Sequence, residues 1–123
     1  VDVLVSQTGP VTLMGRIDSA NLFHDDDARY PSGYVLLVNP DGRWKLFSKK
    51  YTETPKTLAS GRIEISTLKW HRMGLNFHGS QIEAVMDGKQ LASVIDSSHT
   101  HGMIGLGTGW NRGQFDNLSV SKN

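Results

Sequence analysis

Short apolar runs alternate with turn residues along the whole chain, and where the apolar positions are regular their period is two. Residues 1–5 and Val11–Ile17 read as strands around the Gly9-Pro10 turn signal. Gly33–Val38 and residues 43–47 flank Asn39-Pro40-Asp41-Gly42, whose Pro, Asp and Gly each suit a turn position, so these runs predict a hairpin. A short strand is expected over residues 58–65. Residues 70–77 and Gln81–Met86 meet across His78-Gly79-Ser80, and Asp87-Gly88 turns Met86 into a strand over residues 90–95. Asp-Gly in that place favours a tight turn with positive φ at both positions. Met103–Thr108 and residues 114–120 complete the series, with a Gly-flanked loop between them that displays Trp110. No stretch has helical periodicity, and residues 21–33, with His24, Asp25, Asp26, Asp27, Pro31 and Gly33, carry loop chemistry.

Many short strands at near-regular spacing point to an all-β sandwich or barrel. Val35, Leu37, Met73, Leu75, Phe77, Ile82, Ala84 and Met86 supply alternating apolar positions for the two inner faces of a sandwich. With 123 residues the chain fits a single domain. Lys and Arg total 13 against 12 Asp and Glu, without a block of like charge, which argues against nucleic-acid binding. The sequence contains no cysteine, which excludes disulfides and thiolate metal sites. It also lacks both an apolar stretch near the roughly 18 residues of a membrane span and a basic-then-apolar opening segment. Because Val1 stands in what reads as mid-strand, the chain is expected to be an excised or processed piece of a longer protein.

In QFDNLSV the period-two rule puts Asp116, Leu118 and Val120 on one face, so a carboxylate is expected in line with two core residues. A charge there needs a partner: backbone N–H groups, or a bound cation, for which hard oxygen ligands suit calcium before zinc. The His24 to Asp27 cluster reads as a solvated loop, since consecutive extended residues do not all converge on one ion. His99 and His101 lie in a polar loop and lack a third ligand for a metal. The glycosylation sequon Asn117-Leu118-Ser119 falls inside an expected strand and is discounted. Candidates for stacking on a sugar ring are Trp110 with Asn111 and Arg112, Trp44 beside Arg43, and Tyr30 with Tyr34. Trp110 serves equally for a contact with another domain, and Trp70 reads as packing on its own strand.

The order GYVLLVNPDGRWKLF, LASGRIEI, KWHRMGLNFHGSQIEAVMDGKQL, GMIGLGTGW and QFDNLSV resembles the C-terminal lectin-like domain of the galactocerebrosidase family over almost the whole chain. Related signals recur in laminin-G-like and keto-disaccharide hydrolase modules. The resemblance implies an antiparallel jelly-roll sandwich, concanavalin A-like or laminin-G-like, over residues 1–123. It implies a non-catalytic accessory domain of a galactosylceramidase-type glycoside hydrolase, contributing substrate positioning and domain stability. The catalytic barrel, upstream and acting on galactosylated lipids, would be a partner alongside carbohydrate or glycolipid. A secreted, extracytoplasmic or lysosomal location and a calcium site built from Asp116 and the backbone carbonyl of Met14 are implied with it. Retaining glycosidases need two carboxyl groups about 5 Å apart, and nothing in the sequence singles out such a pair from Glu53, Glu64, Glu83 and the aspartates. The alternative is a free-standing or differently attached laminin-G-like module binding glycan or protein. An enzyme of the keto-disaccharide type would need a polar cluster, toward which the strands offer little beyond His71 and Glu83.

Overall fold

A computed structural model describes residues 1–18, 31–50, 53–109 and 111–122. These form ten strands: β1 Asp2–Leu4, β2 Val11–Ile17, β3 Gly33–Val38, β4 Arg43–Lys49, β5 Lys56–Arg62, β6 Trp70–His78, β7 Gln81–Met86, β8 Lys89–Ile95, β9 Met103–Thr108 and β10 Gln114–Asp116. There is no helix among the described residues. The strands pair into two five-stranded antiparallel sheets, β10-β1-β6-β7-β8 and β5-β4-β3-β2-β9, whose inner faces enclose the core.

The turns follow the sequence chemistry. Gly42 N–H donates to the Asn39 carbonyl at 2.9 Å and Asn39 N–H to the Arg43 carbonyl at 2.9 Å, closing the β3–β4 hairpin. Gly42 has φ 88°, and a Cβ there would run into the carbonyl of Ile63, so both conformation and space require glycine. Asp87 and Gly88 have φ of 50° and 78°, the pair of left-handed residues that the Asp-Gly turn predicts.

Met73, Leu75, Phe77, Ile82, Ala84 and Met86 face the core as expected. The parity of β3 is the reverse of the expected one. Tyr34, Leu36 and Val38 belong to the core, whereas Val35 and Leu37 lie on the other face. In GYVLLV both faces are apolar, so alternation carries no parity, and the choice is made by register with β2, which sets Leu13 against Leu36 and Met14 against Val35. Val35, at 1% exposure, is nonetheless covered on its outer side.

The closing strand also differs from expectation. β10 ends at Asp116, and Phe115, opposite the fully buried Val3, is the residue that packs on the core. Asp116 pairs with Asp2 on the outer face and is exposed, while Leu118 and Val120 are 48% and 68% exposed. The inward-facing carboxylate is therefore corrected. A large aromatic one residue before the aspartate takes the core position, and Asn117, at φ 51°, turns the chain out of the sheet. The sequon residues accordingly lie beyond the strand and are exposed.

Candidate functional site

The period-two face of β6 opposite Met73, Leu75 and Phe77 holds Trp70, Arg72, Gly74, Asn76 and His78. Trp70 is 49% exposed and stands in one row with Leu4 and Gln114. In the next row Arg72 lies across from Asp2, and Asp2 from Asp116. Arg72 Nη1 donates to Asp2 Oδ1 at 2.9 Å, and Asn117 Nδ2 donates to Asp2 Oδ2 at 2.7 Å. These two bonds, that from Asn117 first, hold the Asp2 carboxyl below its ordinary pKa. The result is a guanidinium set in place by a carboxylate two positions from an exposed indole. Asp116 Oδ1 accepts the Asn117 N–H at 2.7 Å, so this aspartate shapes the turn that ends β10.

Beside this row the β1 pairing takes in Trp70 to Met73, and a cleft of about 560 Å³ lies along β6. Its wall is apolar, from Leu13, Met14, Leu75, Phe77 and Ile104, and its rim carries Arg72, Asn76, Ser119 and Ser121. Its lining is about half polar, and its volume falls in the range of small-ligand sites. Met14 and the segment after Asp116 meet in this cleft, although β2 and β10 belong to different sheets. Among the described residues no group of three or more His, Asp or Glu side chains is arranged to hold a metal ion.

At another place the two sheets are joined by a buried polar network. Tyr34 Oη donates to Asp96 Oδ1 at 2.7 Å, the Ser98 N–H donates to the same oxygen at 2.8 Å, and the His99 N–H donates to Tyr34 Oη at 3.2 Å. Burial, then the bond to Asp96, pushes the Tyr34 phenol up to about 12. Burial, the largest influence on Asp96, pushes its pKa up, but the bonds from Tyr34 and Ser98 outweigh it and leave the carboxyl below its ordinary range. Burial lowers the pKa of His99, whose ring stands edge-on to Tyr34 at 5.1 Å. The Arg16 guanidinium caps this corner. It lies 4.5 Å over the Phe77 ring and donates to the carbonyls of Gly79 and His99 at 2.8 and 3.1 Å. Phenol and carboxylate are consumed in holding the 96–99 segment to β3, so the network reads as a brace.

Of the expected sugar-stacking residues, Trp44 is a core side chain, 7% exposed, with its indole packed over Gly61, where a Cβ would come within 2.9 Å. Alternation explains this: in β4, Trp44 and Leu46 point inward, and Arg43 and Lys45 point out. Asn111 ties loops together, donating to Ser6 Oγ at 3.4 Å and Pro10 O at 3.2 Å and accepting the Gly109 N–H at 2.9 Å. Arg112 is exposed. Trp110, His24, Asp25, Asp26, Asp27 and Tyr30 lie outside the described residues. His101 is exposed and bonds Thr100, and His99 sits in the brace, so the two do not form a clip. His71 braces the Asp87 turn through Nδ1, 2.7 Å from Asp87 Oδ2, and Nε2, 2.7 Å from the Ser66 carbonyl. Glu83, opposite Asn76, lies on the other face of the sheet from His71, so these two do not converge. Sequence reasoning missed Trp70, although the same alternation that turns Met73, Leu75 and Phe77 inward turns it outward.

The family model of the galactocerebrosidase C-terminal lectin domain matches residues 1–123. Among solved structures, the carbohydrate-binding module CBM66 from Bacillus subtilis superposes with a TM-score of 0.68 at 21% identity, covering 89% of this chain and 63% of that one. At that identity the likeness is one of fold, and this chain spans less than two thirds of the module's length. No curated protein matches.

Proposed function

Because the chain belongs to the galactocerebrosidase C-terminal lectin domain family, we propose that it is the carbohydrate-binding accessory domain of a galactosylceramidase-type glycoside hydrolase, placing sugar for a catalytic barrel elsewhere in the protein. The observation that carries this reading is the cleft along β6, lined by the anchored Arg72, with half-exposed Trp70 two positions away on the same strand. An indole face takes the C–H side of one sugar ring while Arg72, two positions along the strand, meets its hydroxyls, and Asn76 and Ser119 meet further units of the chain lying in the cleft. Titrating galactose-terminated oligosaccharides and a solubilised galactolipid, read by tryptophan emission and calorimetry, tests it. Trp70→Ala is expected to weaken binding by about ten-fold, roughly 1.4 kcal/mol, with the melting midpoint retained. Absence of binding to every such ligand overturns the reading. Trp110→Ala with Arg112→Ala, run in parallel, tests the last loop as the sugar contact.

Met103, Ile104, Leu118 and Val120 are 44%, 42%, 48% and 68% exposed along the β9 edge and the segment after β10. Ile104, Leu118 and Val120 also line the cleft, so in this reading the catalytic barrel meets the molecule at the mouth of the cleft rather than on a separate surface. Calcium enters as a further part of the proposal. Asp116 offers an exposed carboxylate, and the second donor of the proposal is the backbone carbonyl of Met14, a residue of the cleft that the segment after Asp116 also lines. Calcium takes roughly 6–8 oxygens, so two protein donors with water support weak binding only. A melting midpoint that rises at millimolar calcium in the parent and not in Asp116→Ala supports the site, and equal midpoints with calcium and chelator overturn it.

A further inference from the structure

The outward face of β3, β4 and β5 carries a second groove, of about 960 Å³, remote in the sheet topology from the cleft along β6. Register arranges it in rows. Arg43 stands directly opposite Arg62, the next row is Leu37, Lys45 and Ser60, and the next is Val35, Phe47 and Thr57. Like charges directly opposite across a strand pair destabilise a sheet, and here a third cation lies diagonal to them. Asp41 pairs with Arg43, Nε to Oδ2 at 2.6 Å, with the Arg43 side chain 72% exposed. Lys45 and Arg62 form no ion pair among the described residues. One face of a small sheet thus holds three cations against one carboxylate, above the apolar Leu37, Phe47 and Pro55 and beside the hydroxyls of Thr57 and Ser60.

We propose that this groove binds an acidic saccharide, its carboxylate or sulfate held by Arg43, Arg62 and Lys45 and its ring resting on Leu37 and Pro55. Guanidinium groups take planar or tetrahedral oxyanions by paired N–H bonds, and two of them facing each other across a strand pair leave a gap that an anion fills with relief of their repulsion. Hydroxyl groups of the ring then meet Thr57 and Ser60. The saccharide part of this inference rests on the carbohydrate-binding reading of the family. Its acidic part rests on the three cations alone.

The test uses the full chain and three oligosaccharides of similar length, a neutral galactan, an oligogalacturonate and a sulfated galactan, titrated by calorimetry at low and high salt, with duplex DNA alongside. The expected result is that the carboxylated or the sulfated ligand binds about ten-fold more tightly than the neutral one. That advantage should shrink with salt and vanish in Arg62→Ala and in Lys45→Ala, while Trp70→Ala leaves it in place. Both replaced side chains are exposed, and an unchanged melting midpoint verifies the fold. If neutral and acidic ligands bind equally, or the advantage survives both substitutions, the inference falls and the carbohydrate reading stands. If no saccharide of either kind binds, both fall. Tighter binding of DNA than of any saccharide overturns the inference and assigns the groove to polyanions in general.

Discussion

At the scale of single residues, the brace of Tyr34, Asp96 and His99 makes the clearest statement about solution behaviour. His99 in the folded chain has its pKa below the ordinary 6.5, so as pH falls through that value the unfolded chain takes up a proton first and stability declines. Asp96, also lowered, adds a loss in the same direction as pH falls further, through its folded pKa. Tyr34 behaves oppositely. Its phenol is held protonated up to about 12 against an ordinary 10.0, so its contribution is present below pH 10 and is lost as pH rises from there to about 12. The melting midpoint is therefore expected to fall on both sides of a neutral plateau. In Tyr34→Phe the alkaline fall should diminish, while stability at every pH below it drops by about 1–3 kcal/mol, the cost of leaving the Asp96 carboxylate without that donor. An alkaline limb identical in parent and variant contradicts the assignment. Little of this was legible in the sequence, where Tyr34 was a sugar candidate and His99 one half of a discounted pair, because the residues that meet are 62 positions apart.

At the scale of elements, most strands and both tight turns were legible because each rests on local chemistry, such as the left-handed φ that Asp87-Gly88 supplies. What local chemistry leaves open is parity wherever both faces are apolar or the strand is very short, as in β3 and β10. β10 gives a sharp check. Phe115→Ala should cost about 2 kcal/mol, below the 3–5 of a fully enclosed phenylalanine because the ring is half-buried. Asp116→Ala without calcium should stay within about 0.5 kcal/mol. Chemical denaturation measures both, and the reverse ranking would restore an inward aspartate. A second check concerns β5, where Gly61→Val sets a branched side chain against the Trp44 indole at a site where a bare Cβ is already within 2.9 Å. Destabilisation of about 1–3 kcal/mol is expected from this overpacking, with a shift in the emission of the buried tryptophan.

At the scale of the whole molecule, the sandwich divides its labour by surface. The inner faces are spent on the core, the outer face of β6 presents the indole and anchored arginine, and the outer face of β4 and β5 presents the cations. The formal charge of +1 conceals this division, since a balanced composition still places Arg43, Lys45 and Arg62 together. Tryptophan positions were visible in the sequence, yet their roles were exchanged, Trp44 being enclosed and Trp70 displayed, because exposure is decided by strand parity across the sheet rather than by flanking residues. The expected consequence is that a saccharide quenches the emission of Trp44→Phe as it does that of the parent, while Trp70→Phe loses the part of the response that the β6 surface provides.

One feature of the sheet order bears on how the chain reaches this state. β1 is three residues long and lies between β6 and β10, so its neighbours are joined to it by Asp2 bonds to Arg72 and Asn117, 70 and 115 positions later in sequence. During synthesis β1 emerges long before either neighbour exists. Until β10 emerges, Val3 has no Phe115 opposite it and the β1 edge stays open. Such distant pairing slows folding and lengthens exposure to proteases and to other nascent chains. Joining the two ends by a short linker and opening the chain between β5 and β6, which belong to different sheets, would make β10 and β1 consecutive with every hairpin kept, which is expected to speed refolding while leaving the two outer surfaces intact.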